Sequence, residues 1–158
     1  MTIRKIRRED NPQLAKMIRE VFEEFDAPRL GTVYSDPTTD DLHDLFQKPG
    51  SALWVSEIDG KAVGCCGIYP TEGLGKGCCE LVKFYLAESG RGNGIGKALM
   101  QRSIDSAREL GYNAVYLESL PHFSRAIGMY DRLGFERLAA PLGQSGHTGC
   151  SIWMLKEF

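Results

Sequence analysis

The sequence predicts an α/β protein, a mixed central β-sheet with helices on both faces, in one domain over residues 1–158. Three observations lead there. Amphipathic stripes of period 3.6 stand near the start and in the second half of the chain. Between them lies a block of strand-like runs joined by short turn signals, which favours antiparallel pairing. Beyond that block strands and helices alternate, which calls for crossovers and helices packed on the sheet.

Residues 2–8 alternate well enough for a first strand. Asn11-Pro12 then opens a helix, Asn as N-cap and Pro at the first helical position, with Leu14, Met17, Ile18, Val21, Phe22 and Phe25 on one face. Pro, Gly, Asp and Ser make residues 26–37 a loop, and a short helix over residues 40–47 turns Leu42, Leu45 and Phe46 inward. Strands at 52–58 and 62–69 flank Asp59-Gly60, the dipeptide a type I′ hairpin prefers. A glycine-rich connection leads to a strand at 78–86. The dense glycines of residues 90–96 open a helix with Ile95, Leu99, Met100, Ile104, Ala107 and Leu110 inward, closed by Gly111. A strand at 114–120, a helix through Ala126, Met129, Tyr130 and Leu133 ended by Gly134, and strands at 135–139 and 151–155 complete the chain.

Composition narrows the function classes. Apolar residues are 42% and charged residues 25%, as in soluble globular domains, and 19 basic against 21 acidic side chains leave a net charge of -2. That balance speaks against nucleic acid or an anionic membrane as partner. No run approaches a membrane span and the first residues lack the apolar core of a signal peptide, so a cytoplasmic location is expected. Five cysteines, at 65, 66, 78, 79 and 150, read as reduced thiols, and each vicinal pair on a strand is expected to put one thiol in the core and one outside. No group has metal-ligand spacing, so no metal is expected.

The segment Arg91-Gly92-Asn93-Gly94-Ile95-Gly96-Lys97 carries the most chemistry. Between a strand and a helix, glycines let several N–H groups converge on one point, and the helix N-terminus adds positive charge, a combination suited to phosphate. It is not a dinucleotide fingerprint, whose third glycine would fall on Lys97. Nor is it a P-loop, which needs Gly at Arg91 and Ser or Thr at Ala98.

This segment, following Leu81-Val82-Lys83-Phe84-Tyr85-Leu86, resembles the acyl-CoA signature Arg/Gln-x-x-Gly-x-Gly/Ala of the GCN5-related N-acetyltransferase (GNAT) superfamily. Ala126 to Phe135, with its Leu-Gly-Phe ending, is similar to the family's final helix, and the element order agrees over essentially the whole chain. The resemblance implies an enzyme that moves an acetyl group from acetyl-CoA, its cosubstrate, to a primary amine of a small-molecule or peptide acceptor by direct attack in a ternary complex. A non-catalytic acyl-CoA-binding module of the same fold is the alternative. It further implies that backbone groups of Phe84, Tyr85 and Leu86 hold the pantetheine arm and that amides of Arg91, Gly92, Asn93, Gly94, Ile95 and Gly96 hold the pyrophosphate, with charge from Arg91 and Lys97. Many members carry Asn three residues before the helix alanine; here that residue is Phe123, and Ser124 or a backbone group is expected to take the contact.

Tyr130 matches the tyrosine that reprotonates the departing thiolate, a role for a phenol that stays protonated at neutral pH. Its spacing from Ala126 and Leu133 equally fits a core aromatic. For the base that takes the amine proton, Glu80, Glu118 and the loop residue His147 are candidates. The acidic start Asp40-Asp41-Asp44 could favour a cationic acceptor or only complement a helix dipole. The acceptor-defining segments are expected at residues 26–37 and 141–150, and a homodimer is left open.

Overall fold

The computed structural model describes all 158 residues. Seven strands form one sheet in the order β1-β2-β3-β4-β5-β7-β6. They are β1 (Thr2–Lys5), β2 (Ala52–Ile58), β3 (Lys61–Tyr69), β4 (Cys78–Leu86), β5 (Ala114–Ser119), β6 (Glu136–Arg137) and β7 (Ile152–Glu157), with helices α1 (Asn11–Glu24), α2 (Leu42–Leu45), α3 (Ile95–Glu109) and α4 (Ser124–Arg132). Only β4 and β5 pair in parallel. Helices cover both faces: α1 and α2 pack Leu14, Ile18, Phe22 and Leu42 over one, and α3 and α4 pack Leu99, Met100, Ile104 and Ile127 over the other. Burying a side chain such as Phe22 contributes roughly 1.5–3 kcal/mol. No helix is long and apolar enough to cross a membrane.

Turn chemistry follows the sequence. Asp59 and Gly60 both have positive φ, 49° and 75°, as a type I′ turn requires. Gly111 and Gly134, each at φ 84°, end α3 and α4 in the left-handed conformation that stops a helix.

Several expectations need correction: Leu110, expected inward, is half exposed, and the strand expected at 135–139 is only Glu136–Arg137. The first strand ends at Lys5, because Arg8–Asp10 turns into a short 3-10 helix. Asn11 is not an N-cap but the first residue of α1; its side chain reaches across the chain, donating to Asp41 Oδ1 at 2.7 Å and accepting from the His43 amide at 2.8 Å. Cys65 and Cys66 are both fully buried, since the sheet is covered on both faces: Cys65 belongs to the core under α1 and α2, Cys66 to the core under α3 and α4. All five cysteines are free thiols.

The site is prepared by an irregularity in β4. Tyr85 faces Cys65 and Val82 faces Gly67, so two residues of β4, Lys83 and Phe84, oppose Cys66 alone. Lys83 absorbs this bulge at φ 56°, a left-handed conformation rare for a side chain of its size. The bulge reverses the alternation, so that Leu81 and Phe84 face one core while Val82 and Tyr85 face the other.

Candidate active site

β5 pairs with β4 only through Cys78–Leu81. Beyond Leu81 the two parallel strands separate, and residues 82–86 keep β3 on one edge alone. Backbone groups on the other edge face the gap, an arrangement that persists where a ligand can satisfy them. Two cavities adjoin there, sharing Phe84, Tyr85, Phe123 and Ala126 in their walls.

The larger cavity, about 470 Å³, runs between the end of β4, the glycine loop and α4. Its walls include Phe84, Tyr85, Leu86, Arg91, Gly92, Gly94, Gly96, Lys97 and Ser124, nine of the eleven residues expected at the cofactor. Asn93 is exposed outside the wall, and the Ile95 side chain is buried in the core, leaving each only its backbone to offer. The first helical bond of α3 runs from the Ala98 N–H to the Gly94 carbonyl, so amides 92–97 have no backbone partner. Gly92 and Gly94, at φ 82° and 76°, aim that turn, and a Cβ on either would meet nothing within 4 Å. Gly96 is different: a Cβ there would lie 3.2–3.4 Å from Phe84, Leu86 and Met129, so it permits close packing of the helix on the cavity wall. The guanidinium of Arg91 is engaged within the protein, donating to both Glu24 carboxylate oxygens at 2.6 and 2.8 Å and to the Leu86 carbonyl. Arg91 thus ties α1 to the end of β4. The cations Arg125 and Arg132 of α4, which sequence reasoning missed, line the same cavity as Lys97.

The smaller cavity, about 60 Å³, brings together all four proposed catalytic residues, Glu80, Glu118, Tyr130 and His147. Glu80, from the paired part of β4, is 4% exposed. Burial pushes its carboxyl up to about 7; the Thr71 hydroxyl bonded to it works against this, Glu118 adds to the rise, and Lys83 opposes it. Tyr130 packs against Phe84 and Phe135, and no hydrogen bond engages its hydroxyl, which burial holds well above the ordinary phenol range. Glu118 is committed to neighbours: it accepts from the Tyr116 hydroxyl at 2.7 Å and from the Ser145 hydroxyl. His147 pairs through Nε2 with Asp36 at 2.8 Å, while its amide donates to Ser145. Burial would raise the Asp36 carboxyl, but bonds from His147 and Thr38 and the charge of Lys83 outweigh it and bring it down to about 2.

The two loops named as acceptor-defining therefore meet over this cavity, joined by Asp36–His147 and by the Gly149 N–H donating to the Gly31 carbonyl at 2.8 Å. Where many relatives of the resembled family carry Asn, Phe123 stacks edge-on against Phe22, Phe25 and Tyr85 and forms the partition between the cavities. The acidic residues 40, 41 and 44 lie outside it, with Asp40 paired to Arg19 and Asp41 capping α2. Lys83, missed by the sequence reading, also lines the cavity and is only 6% exposed.

Comparison with known proteins decides the family. Residues 15–135 match the acetyltransferase (GNAT) family. The chain belongs to that family. A curated relative from Escherichia coli K12, the uncharacterized N-acetyltransferase YjgM, is 38% identical over 156 residues, spanning 98% of this chain and 93% of that protein. Among solved structures, a GNAT-family acetyltransferase from Staphylococcus aureus superimposes with a TM-score of 0.85 at 19% identity, over 99% and 98% of the two chains. A phosphinothricin acetyltransferase from Sinorhizobium meliloti, solved with acetyl-CoA, gives 0.77 at 17% identity, over 99% and 87%. This GNAT protein is an N-acetyltransferase on a mixed seven-stranded sheet.

Proposed function

We propose that this GNAT protein binds acetyl-CoA in the larger cavity and transfers its acetyl group to a primary amine held in the smaller one, in a ternary complex without an acetyl-enzyme. The junction of the cavities at the splayed end of β4 carries this reading, since it lets two ligands approach each other between a buried carboxylate and a buried phenol. The free amides of residues 92–97, with Lys97, Arg125 and Arg132 nearby, suit a pyrophosphate. The unpaired edge of Phe84–Leu86 suits the amide-bearing pantetheine arm, and Ser124 adds a hydroxyl on the opposite wall.

Acetyl-CoA supplies the acyl group and a thiolate leaving group. Glu80 takes a proton from the acceptor ammonium, a task its elevated carboxyl performs near neutral pH. As the C–N bond forms and the C–S bond breaks, N–H groups on the open edge of β4 stabilise charge growing on the carbonyl oxygen. Tyr130 gives its proton to the sulfur and is restored by the second proton that the nitrogen sheds as the intermediate collapses to the amide. Glu118 and His147 hold the loop over the acceptor instead of moving protons, because both already serve neighbouring groups.

The test is release of free thiol from acetyl-CoA over a panel of amines, with mass analysis of the product. An N-acetylated amine and equimolar thiol are expected. Thiol release with no dependence on any amine would refute transfer.

A further inference from the structure

Lys83 is the only lysine or arginine that lines the acceptor cavity, and it sits at the bulge of β4 where the backbone is strained. A buried ammonium is costly without a partner. Yet the Lys83 ammonium makes no hydrogen bond and no ion pair; the charges of Asp36 and Glu80, first among the groups that favour its charged form, act at longer range and do not outweigh its desolvation. Each neighbouring carboxylate is already engaged: Asp36 by His147 and Thr38, Glu80 by Thr71, Glu118 by Tyr116 and Ser145. A cation without its anion therefore stands beside the base, in a site where strain is maintained.

We propose, building on the acetyl-transfer reading above, that the acceptor is an α-amino acid whose carboxylate pairs with Lys83 while its amine lies against Glu80. The charges match one to one: ammonium to Glu80, carboxylate to Lys83. A phosphate dianion fits less well, since Asp36 and Glu118 already add negative charge to these walls. About 60 Å³ accommodates a few non-hydrogen atoms, each water in the liquid occupying about 30 Å³, so the enclosed space takes the head group, with the apolar faces of Phe22, Val33 and Phe123 beside it.

The experiment compares amino acids with their decarboxylated amines in pairs: leucine with 3-methylbutylamine, phenylalanine with 2-phenylethylamine, lysine with 1,5-diaminopentane. Acetyl-transfer rates are read together with calorimetric binding to the CoA-loaded protein. For at least one pair the amino acid should be preferred at least about tenfold in kcat/KM and in affinity, the scale of a charge-assisted pair. Lys83→Met should erase that preference by raising KM for the amino acid far more than for the amine, both compared at a pH high enough that Glu80 is ionised, with acetyl-CoA affinity unchanged; Lys83→Arg should restore part of it. Should Lys83→Met fail to fold, 2-hydroxy-4-methylpentanoate, which keeps leucine's carboxylate but not its amine, serves on the unaltered protein and should compete with leucine.

Equal use of both members in every pair, or an equal loss for both in Lys83→Met, would overturn the assignment, as would absence of competition by the hydroxy acid. The two readings fail separately. Acetylation of amines without any preference for amino acids removes this inference and leaves acetyl transfer standing. Amino-acid binding that depends on Lys83 without turnover of any acceptor supports the pocket assignment and removes acetyl transfer.

Discussion

Glu80 bears opposed demands of stability and catalysis. A carboxylate in water titrates too low to take a proton effectively from an ammonium, and burial corrects this by moving Glu80 to about 7. Because the base must be ionised, kcat/KM should fall as pH drops below about 7, tenfold per pH unit, and Glu80→Gln should lower it by roughly 10²-fold and remove that limb. Thr71→Val deletes the bond that favours the ionised form and should move the limb to higher pH; an unmoved profile would show that another group titrates. The stability effect has the opposite sense. The folded protein holds this proton more tightly than the unfolded chain, whose ordinary value is 4.5, so the contribution is present below that value and is lost as pH rises through about 7. Glu80→Gln should thus raise Tm at pH 8 and change it less at pH 5, as scanning calorimetry would read. Tyr130→Phe keeps the ring between Phe84 and Phe135 and removes only the proton donor. It should cost roughly 10²-fold in kcat with acetyl-CoA affinity retained; full turnover with reduced stability would instead mark a packing residue. Glu80 and Tyr130 could be read from position in the sequence. Lys83 could not, because ordinary alternation places it opposite Phe84, and only the bulge, a tertiary feature, puts it in the cavity wall.

At the level of elements, helices and hairpins were legible because their signals are local: period 3.6 for α1 and α3, Asp-Gly for the β2–β3 turn, glycines after α3 and α4. The glycine loop was legible for the same reason, since its function resides in its own backbone. Gly94→Val forces a side chain into a left-handed position and presses it into the cavity that otherwise stays open, so acetyl-CoA affinity should be lost by calorimetry while the fold persists. Unchanged affinity would take the pyrophosphate away from this loop. Both acceptor loops were named from the sequence, but their joining into one lid was not legible, because Asp36 and His147 lie 111 residues apart and no pattern in sequence couples them. Either Asp36→Asn or His147→Ala should loosen the lid, raising acceptor KM severalfold with acetyl-CoA affinity intact. A loss confined to kcat with a shifted pH profile would make His147 the base after all.

At the scale of the whole molecule, the seven-stranded sheet serves as a frame that opens at one place. Strands β1 to β4 are antiparallel, with register shifts between β2 and β3 and between β3 and β4, β5 joins β4 for four residues only, and β7 then anchors β5 from its other side over six. That asymmetry leaves a gap with α1 and the acceptor loops on one face and α3 and α4 on the other, so two ligands can enter and meet end to end. The central claim is that acetyl transfer occurs directly between them. Initial rates measured over a grid of acetyl-CoA and acceptor concentrations test it most directly. Double-reciprocal lines that intersect, with no acetyl group left on the protein by mass spectrometry after acetyl-CoA alone, are the predicted result; parallel lines and an isolable acetyl-enzyme would contradict it.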